Sequence, residues 1–398
     1  MFRRIESTSM VLFGMLAIWA SLASADDRRP QLQIINASAF PLQVTWLADD
    51  GRKVQNGSVP PQSELTLSTT IGHRFLVQST DREQGSEVLS KVPIQAYRYQ
   101  GPGRVDVSDF GKRTKDGAVV AVTNEMNLPG FYTKLAFANG YPIVASDRVN
   151  DYAIQEASFL IKIMLAQRPD VLEAMIASGS RLCILSEDEF TTDLPELAAL
   201  ANNPQIDGIA GRDFWDARAR GMGGSATDPY CSCGEENLLG FEGDPYATEN
   251  ILIHEFAHNI HLRGMNNVDS TFDSRLEKTY QSAMASGLWR GKYPSVNRDE
   301  YFAEGVQSWF DNNREPDHDH NHVNTRAELV EYDPGLATLC LEVFGDTELK
   351  YTKPATRIRD HLVGFDPTTS PKFSWPPRLD NATKAIRQSA EERNEKAN

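Results

Sequence analysis

Ile251-Leu252-Ile253-His254-Glu255-Phe256-Ala257-His258 holds the pattern H-E-x-x-H inside an apolar stretch. On a helix, residues four apart share a face, so His254 and His258 can offer both imidazoles to one ion. Glu255 stands one step round, beside an open coordination position. There a bound zinc would bring the pKa of a water toward about 7, and a carboxylate could take its proton. The same pattern also occurs by chance on solvated helix faces. Here three apolar residues precede it and Phe256 and Ala257 lie within it. The helix is therefore expected to be buried, and two buried imidazoles with a buried carboxylate need a partner. One Zn²⁺ is the expected cofactor.

A third ligand is required. The extended pattern H-E-x-x-H-x-x-G-x-x-H is excluded, because His261 stands at the glycine position and Gly264 at the last histidine position. Two glutamates compete. Glu277 lies 19 residues past His258, the spacing of zinc aminopeptidases, but Arg275-Leu276 precedes it where those enzymes carry an Asn-Glu pair. Glu300 lies 42 residues past His258 in Asp299-Glu300-Tyr301-Phe302-Ala303-Glu304. Glu300 and Glu304 share a helical face, so one could bind metal while the other anchors a ligand imidazole. The competing reading of Glu300 is a capping box with Asn297. Tyr293 precedes Pro294, which keeps it out of the helix and on a loop that can aim its hydroxyl into a cleft.

This arrangement resembles the metalloprotease domain of the anthrax lethal factor and the secreted bacterial Pro-Pro endopeptidases, gluzincin-type zinc enzymes. That family carries H-E-x-x-H, then a tyrosine, then a glutamate seven residues later in an E-[FY]-F-A-E helix; Tyr293 and Glu300 here have that spacing. The match covers roughly residues 135–350, with its specific motifs at 254–258 and 293–304. The resemblance implies an α+β zincin-type fold with His254, His258 and Glu300 on zinc. It implies Glu255 as general base, Tyr293 stabilising the oxyanion and Glu304 orienting His254, with a polypeptide as substrate. The rival from another class is a non-catalytic peptide- or partner-binding protein with a structural zinc, which would need neither Glu255 nor Tyr293. An aminopeptidase using Glu277 is the third reading.

The rest of the chain has to hold these residues in place. It has 398 residues, is 40% hydrophobic and carries a formal charge of -15. That length suits two or three domains, and the acidity argues against a nucleic-acid surface, which needs clustered Lys and Arg. Arg3 and Arg4, the apolar run Met10–Ala20 and Ala23-Ser24-Ala25 read as a signal peptide over residues 1–25, so a secreted or periplasmic location is expected. No later apolar run reaches the roughly 18 residues of a membrane span. Export would place Cys183, Cys231, Cys233 and Cys340 in an oxidising compartment, where at least one disulfide is expected. The oligomeric state is not legible.

Residues 26–110 are expected to form a small β-sandwich, from short alternating runs (Leu32 and Ile34; Leu42, Val44 and Trp46; Leu65 and Leu67; His73–Val77) separated by Asp50-Gly51, Asn56-Gly57, Pro60-Pro61 and Gly72. The frame Asn36-x-Ser38, Pro41, Val44-x-Trp46, Asp50-Gly51, Pro60-Pro61 and Gly72-His73-x-Phe75-x-Val77 resembles the β domain of the von Hippel-Lindau tumour suppressor. In that family a pocket reads hydroxyproline in a peptide. Trp46, Thr69, His73 and Phe75 fall on pocket positions, while Asn56 replaces a tyrosine and Phe75 a tryptophan. The competing reading makes Trp46 and Phe75 sandwich core.

Gly101–Gly117 reads as a linker, and residues 118–365 as the metalloprotease domain. Within it, helices are expected over Tyr152–Ala166, Val171–Ala177, Ala247–Leu262 and Arg298–Asp311, and a strand over Arg181–Leu185. Gly234–Leu239 could be an edge strand for an extended substrate or plain sheet. His318-x-His320-x-His322 reads as a solvated acidic loop, and residues 366–398 as a polar tail, frayed from 380.

Overall fold

The computed structural model describes residues 29–81, 84–206, 208–225 and 227–397, so the expected signal peptide over 1–25 lies outside the described residues. Among the described residues no helix is long and apolar enough to cross a membrane. The fold is α+β, with sheets first and a mainly helical region after them.

Seven strands come first: β1 (Gln31–Asn36), β2 (Leu42–Leu47), β3 (Lys53–Val59), β4 (Glu64–Ser68), β5 (Arg74–Ser79), β6 (Gly85–Leu89) and β7 (Ile94–Tyr99). They form two sheets, ordered β4-β1-β7 and β3-β2-β5-β6. The alternation predicted from sequence delivers one side of each strand to a shared core of Leu32, Ile34, Leu42, Val44, Val59, Phe75, Val77, Val88 and Tyr99.

The sandwich does not hang on a free linker. Ala96 N–H donates to Ser178 O at 3.0 Å. Asn267 Oδ1 accepts from Ile94 N–H at 2.6 Å, and its Nδ2 donates to Ile94 O at 3.1 Å, so one side chain completes the edge of β7 as a strand would. Gly179, at φ +84, lets the Ala96 carbonyl approach where a Cβ would collide. In the expected linker, Ser108–Gly111 forms a helical turn, α1, and Val107 and Phe110 pack inward.

The second region is built on a six-stranded mixed sheet: β8 (Val120–Ala121), β9 (Lys134–Ala138), β10 (Tyr141–Ala145), β11 (Arg181–Leu185), β12 (Gly221–Met222) and β13 (Tyr230–Gly234), ordered β12-β13-β11-β10-β9-β8. Its helices are α2 (Asp151–Met164), α3 (Pro169–Ala177), α4 (Gly211–Arg218), α5 (Glu235–Leu239), α6 (Ile251–Asn259), α7 (Asn266–Val268), α8 (Phe272–Ala285), α9 (Arg298–Trp309), α10 (Arg326–Tyr332), α11 (Pro334–Phe344) and α12 (Asp380–Ala397). The larger core joins one face of the sheet to α2, α3, α6, α9 and α11.

Three expectations are corrected here. Gly234–Leu239 is not an edge strand: Glu235–Leu239 is a short buried helix, and the edge on that side of the sheet is β12, antiparallel to β13. Residues 380–397 are helical, not frayed; Leu379, Ala382 and Ile386 form an apolar strip against Phe190 and Ala217, and Arg378 pairs with Asp213 at 2.7 Å and Asp216 at 2.6 Å.

The third correction is that all four cysteines are buried free thiols. The sheet register explains why: Leu182 pairs with Cys231 and Cys183 with Ser232, so Cys183 points to one face while Cys231 and Cys233 point to the other. Cys340 sits apart on α11. Thiol counting under denaturing, non-reducing conditions is therefore expected to find four reactive thiols; two or fewer would show that the fold is rearranged around a disulfide.

Candidate metal centre

Two helices bring the sequence-predicted ligands together. α6 begins at Asn250, whose side chain accepts from Ile253 N–H at 3.1 Å and whose own N–H donates to Asn312. This cap starts the helix later than its apolar pattern suggests. After Asn259 the helix widens into a π turn, Ile260–Met265, which seats Gly264 against Val171 and Met175 and turns His261 inward to Asp273, 3.0 Å away. Wide turns of this kind recur beside functional sites. α9 begins at Asn297, which accepts from the N–H groups of Asp299 and Glu300, both at 2.8 Å. The side chain of Glu300 does not return to close a capping box; it turns into the His pair.

His254, His258 and Glu300 form a group that could hold a metal ion, with one ligand atom from each within 4.8 Å of the others. His254 Nε2 lies 3.1 Å from Glu300 Oε2 and 3.2 Å from His258 Nε2, and His258 Nε2 lies 3.4 Å from Glu300 Oε2. Three ligands at about 2.0–2.1 Å on a tetrahedral ion stand about 3.3 Å apart, so the spacing fits. Orientation fits as well. The Nδ1 of His254 lies 2.9 Å from the side-chain carbonyl Oε1 of Gln307. With the Nδ1 proton donated there, Nε2 faces the other two ligand atoms, at a place where either a proton or a metal cation can sit between them.

The local electrostatics agree. Burial works against a charge on His254, but the hydrogen bond to Glu300 and the charges of Glu255, Glu300 and Glu304 raise its pKa well above the usual histidine range. Burial likewise opposes ionisation of Glu300, yet the two imidazoles hold its carboxyl well below the ordinary value. In Glu255 burial wins: its pKa is raised even with both imidazoles pulling it down.

Tyr293 opens a short 3₁₀ turn, its ring centroid 6.3 Å from that of His254. Burial, then the charge of Glu300, raises its pKa well above the tyrosine range, so the hydroxyl keeps its proton and remains a donor. Glu304 is buried next to His254, but its Oε1 is 3.6 Å from Nδ1, farther than the Gln307 oxygen. Gln307, which sequence reading missed, thus stands closer to Nδ1 than Glu304, the residue expected to orient His254. Glu300, Glu304 and Gln307 stand at i, i+4 and i+7 on one face of α9, and that spacing was the available signal.

Glu277 is not brought to the His pair; it bonds Gln281 at 2.6 Å and faces Arg298 at 3.4 Å. His320, expected in a solvated loop, is 5% exposed, because Asp317 accepts from its backbone N–H and from Nδ1, turning the ring toward Glu304. His318 and His322 point elsewhere, toward Asp319 and Tyr332. In the sandwich, Trp46 and His73 lie with ring centroids 5.0 Å apart and Thr69 Oγ1 is 3.3 Å from His73 Nδ1. Phe75, at 2% exposure, is core, as the competing reading had it.

The edge strand β12 and the glycines after it run along α6. A Cβ on Gly221 would meet Ile251 and Glu255, and one on Gly223 would overlap the His258 ring. Asn259 holds this segment, donating to Gly223 O at 3.3 Å and Pro229 O at 3.1 Å while accepting from Ser180 at 2.6 Å. Gly223→Ala is expected to push the His258 ring off its ligand position and weaken metal binding on the order of 10-fold or more. Competition with a chelator of known affinity reads this, and unchanged affinity would show that the segment yields freely.

Comparison with sequence profiles of known families and with curated proteins finds no match for this chain.

Proposed function

We propose that the chain is an exported zinc metalloendopeptidase. The observation that carries this reading is the convergence of His254, His258 and Glu300 with a buried, non-ligating Glu255 and a protonated Tyr293. A site that only stapled the fold would need neither of the last two. The resemblance of residues 293–304 to the lethal-factor type of enzyme supports the same assignment, and the apolar run before Asp26 supports export.

His254, His258 and Glu300 would hold one zinc ion, which when bound supplies Lewis acidity toward a water and a peptide carbonyl. Glu255 takes the proton of the attacking water on its carboxylate and passes it to the departing amine. Tyr293 donates its hydroxyl hydrogen bond to the oxygen on which negative charge develops. Gln307 fixes the tautomer of His254 through Nδ1. A polypeptide substrate is favoured by β12, which pairs only through Gly221 and Met222 with β13 and lies at the sheet edge, where an extended peptide can add as a further strand.

Tyr293→Phe tests the reading. It keeps the ring and removes the donor, so kcat on a peptide found by library cleavage is expected to fall on the order of 10²–10³ with KM little changed. Unaltered kcat would remove Tyr293 from the chemistry.

A further inference from the structure

The proposed chemistry does not use the charged segment that follows α9, which carries Arg314, Asp317 and His320. Two polar paths lead from it to the Nδ1 atom of His254. On the first, Arg314 Nε lies 3.5 Å from Glu249 Oε1, Gln307 Nε2 donates to Glu249 Oε2 at 2.9 Å, and Gln307 Oε1 meets His254 Nδ1 at 2.9 Å. On the second, Asp317 holds His320 Nδ1 at 2.9 Å, and His320 Nε2 lies 3.4 Å from Glu304 Oε2. Glu304 in turn stands 3.6 Å from His254 Nδ1 and accepts from Asn313 at 2.9 Å. Arg314 and Asp317 pair at 2.9 Å, so the paths close into a ring.

The same segment seats the tyrosine. Asp319 O accepts from Tyr293 N–H at 2.8 Å, and Lys292 Nζ donates to the carbonyls of Asp317 at 2.9 Å and His318 at 3.2 Å. Thus one stretch of chain sets both the ring plane of a ligand and the place of the oxyanion donor. Glu249, Gln307, Glu304 and His320 are all at most 8% exposed. Burying so many charges costs desolvation that a packed apolar core would avoid, so stability alone is a poor reason for them; a network in which every member is satisfied fixes geometry instead.

The geometry points to a positioning frame: Gln307 and His320, neither of them among the metal ligands, hold His254 and Tyr293 in register through the 313–320 segment. This rests on the metal-centre reading above. The test uses the full chain loaded with zinc and, in parallel, with cobalt(II), whose visible absorption reports ligand geometry. The variants are Gln307→Leu, His320→Asn and Asp317→Asn, the last at a partly exposed side chain in case the buried changes prevent folding.

The frame predicts metal content equal to wild type, kcat lowered about 10–100-fold with KM within about twofold, and shifted cobalt bands. Unchanged bands and kcat in every variant that folds overturn it. If the wild type binds cobalt but cleaves no peptide, the catalytic proposal falls and the bands alone decide: shifted bands support the frame, unshifted bands overturn it. A wild type that binds no cobalt overturns both.

Discussion

Glu255→Gln is expected to end peptide hydrolysis while leaving metal and fold in place. The carboxylate is buried at 9% exposure and is not a member of the group that could hold a metal ion. Its pKa is raised, first by burial, so the folded state disfavours its charge. In the metal-free protein the neutral, isosteric amide therefore removes a disfavoured charge and is expected to leave stability unchanged or slightly higher. What it removes is the only carboxylate in the motif free to take the water proton. Loss of a positioned general base costs about 10²–10⁴ in rate, which for most peptides means no detectable cleavage. Full activity with zinc bound in this variant would end the proposed mechanism.

Glu300→Ala is expected to release the metal. Among the described residues it is the one carboxylate placed with both imidazoles, at 3.1 and 3.4 Å. The cost in affinity should exceed the roughly 100-fold seen when a merely supporting contact is lost. It also leaves His254 and His258 facing each other without their counter-charge, so the metal-free variant should be less stable than metal-free wild type near neutral pH. Glu277→Ala, by contrast, breaks contacts with Gln281 and Arg298 on a partly exposed face and should keep metal and activity. The pair is read by metal content after gel filtration. Metal kept in the first variant and lost in the second would transfer the ligand role to Glu277.

Much of this was legible along the chain because it lives within single elements. The i, i+4 pair on α6, the capped start of α9 and the two-residue alternation of the sandwich strands are local patterns, and local patterns survive folding. The residues that were missed depend on how elements meet. Gln307 sat on the face already marked by Glu300 and Glu304, but only the approach of α9 to α6 shows that it reaches His254 before Glu304 does. His320 looked solvated because its neighbours are acidic; the turn made by Asp317 is what buries it. The disulfide expectation followed from the expected compartment; a one-residue offset across β11 and β13 separates Cys183 from Cys231 and Cys233 on opposite faces, and Cys340 lies apart on α11. The C-terminal helix was hidden because Leu379, Ala382 and Ile386, set among alanines and charged residues, mark a weak periodicity, yet they are enough to dock it. Gly221 and Gly223 have no side chain to mark a site; their reason is the space that Glu255 and His258 occupy.

Whether this site uses zinc to hydrolyse peptide bonds is decided by incubating a peptide library with the purified chain before chelation, after chelation, and after zinc is returned at one equivalent. Zinc-dependent hydrolysis predicts internal cleavage of a definable set of peptides, its loss with the chelator, and its recovery as zinc refills a single site. Zinc bound at one equivalent with no peptide cleaved in any of the three states would contradict it.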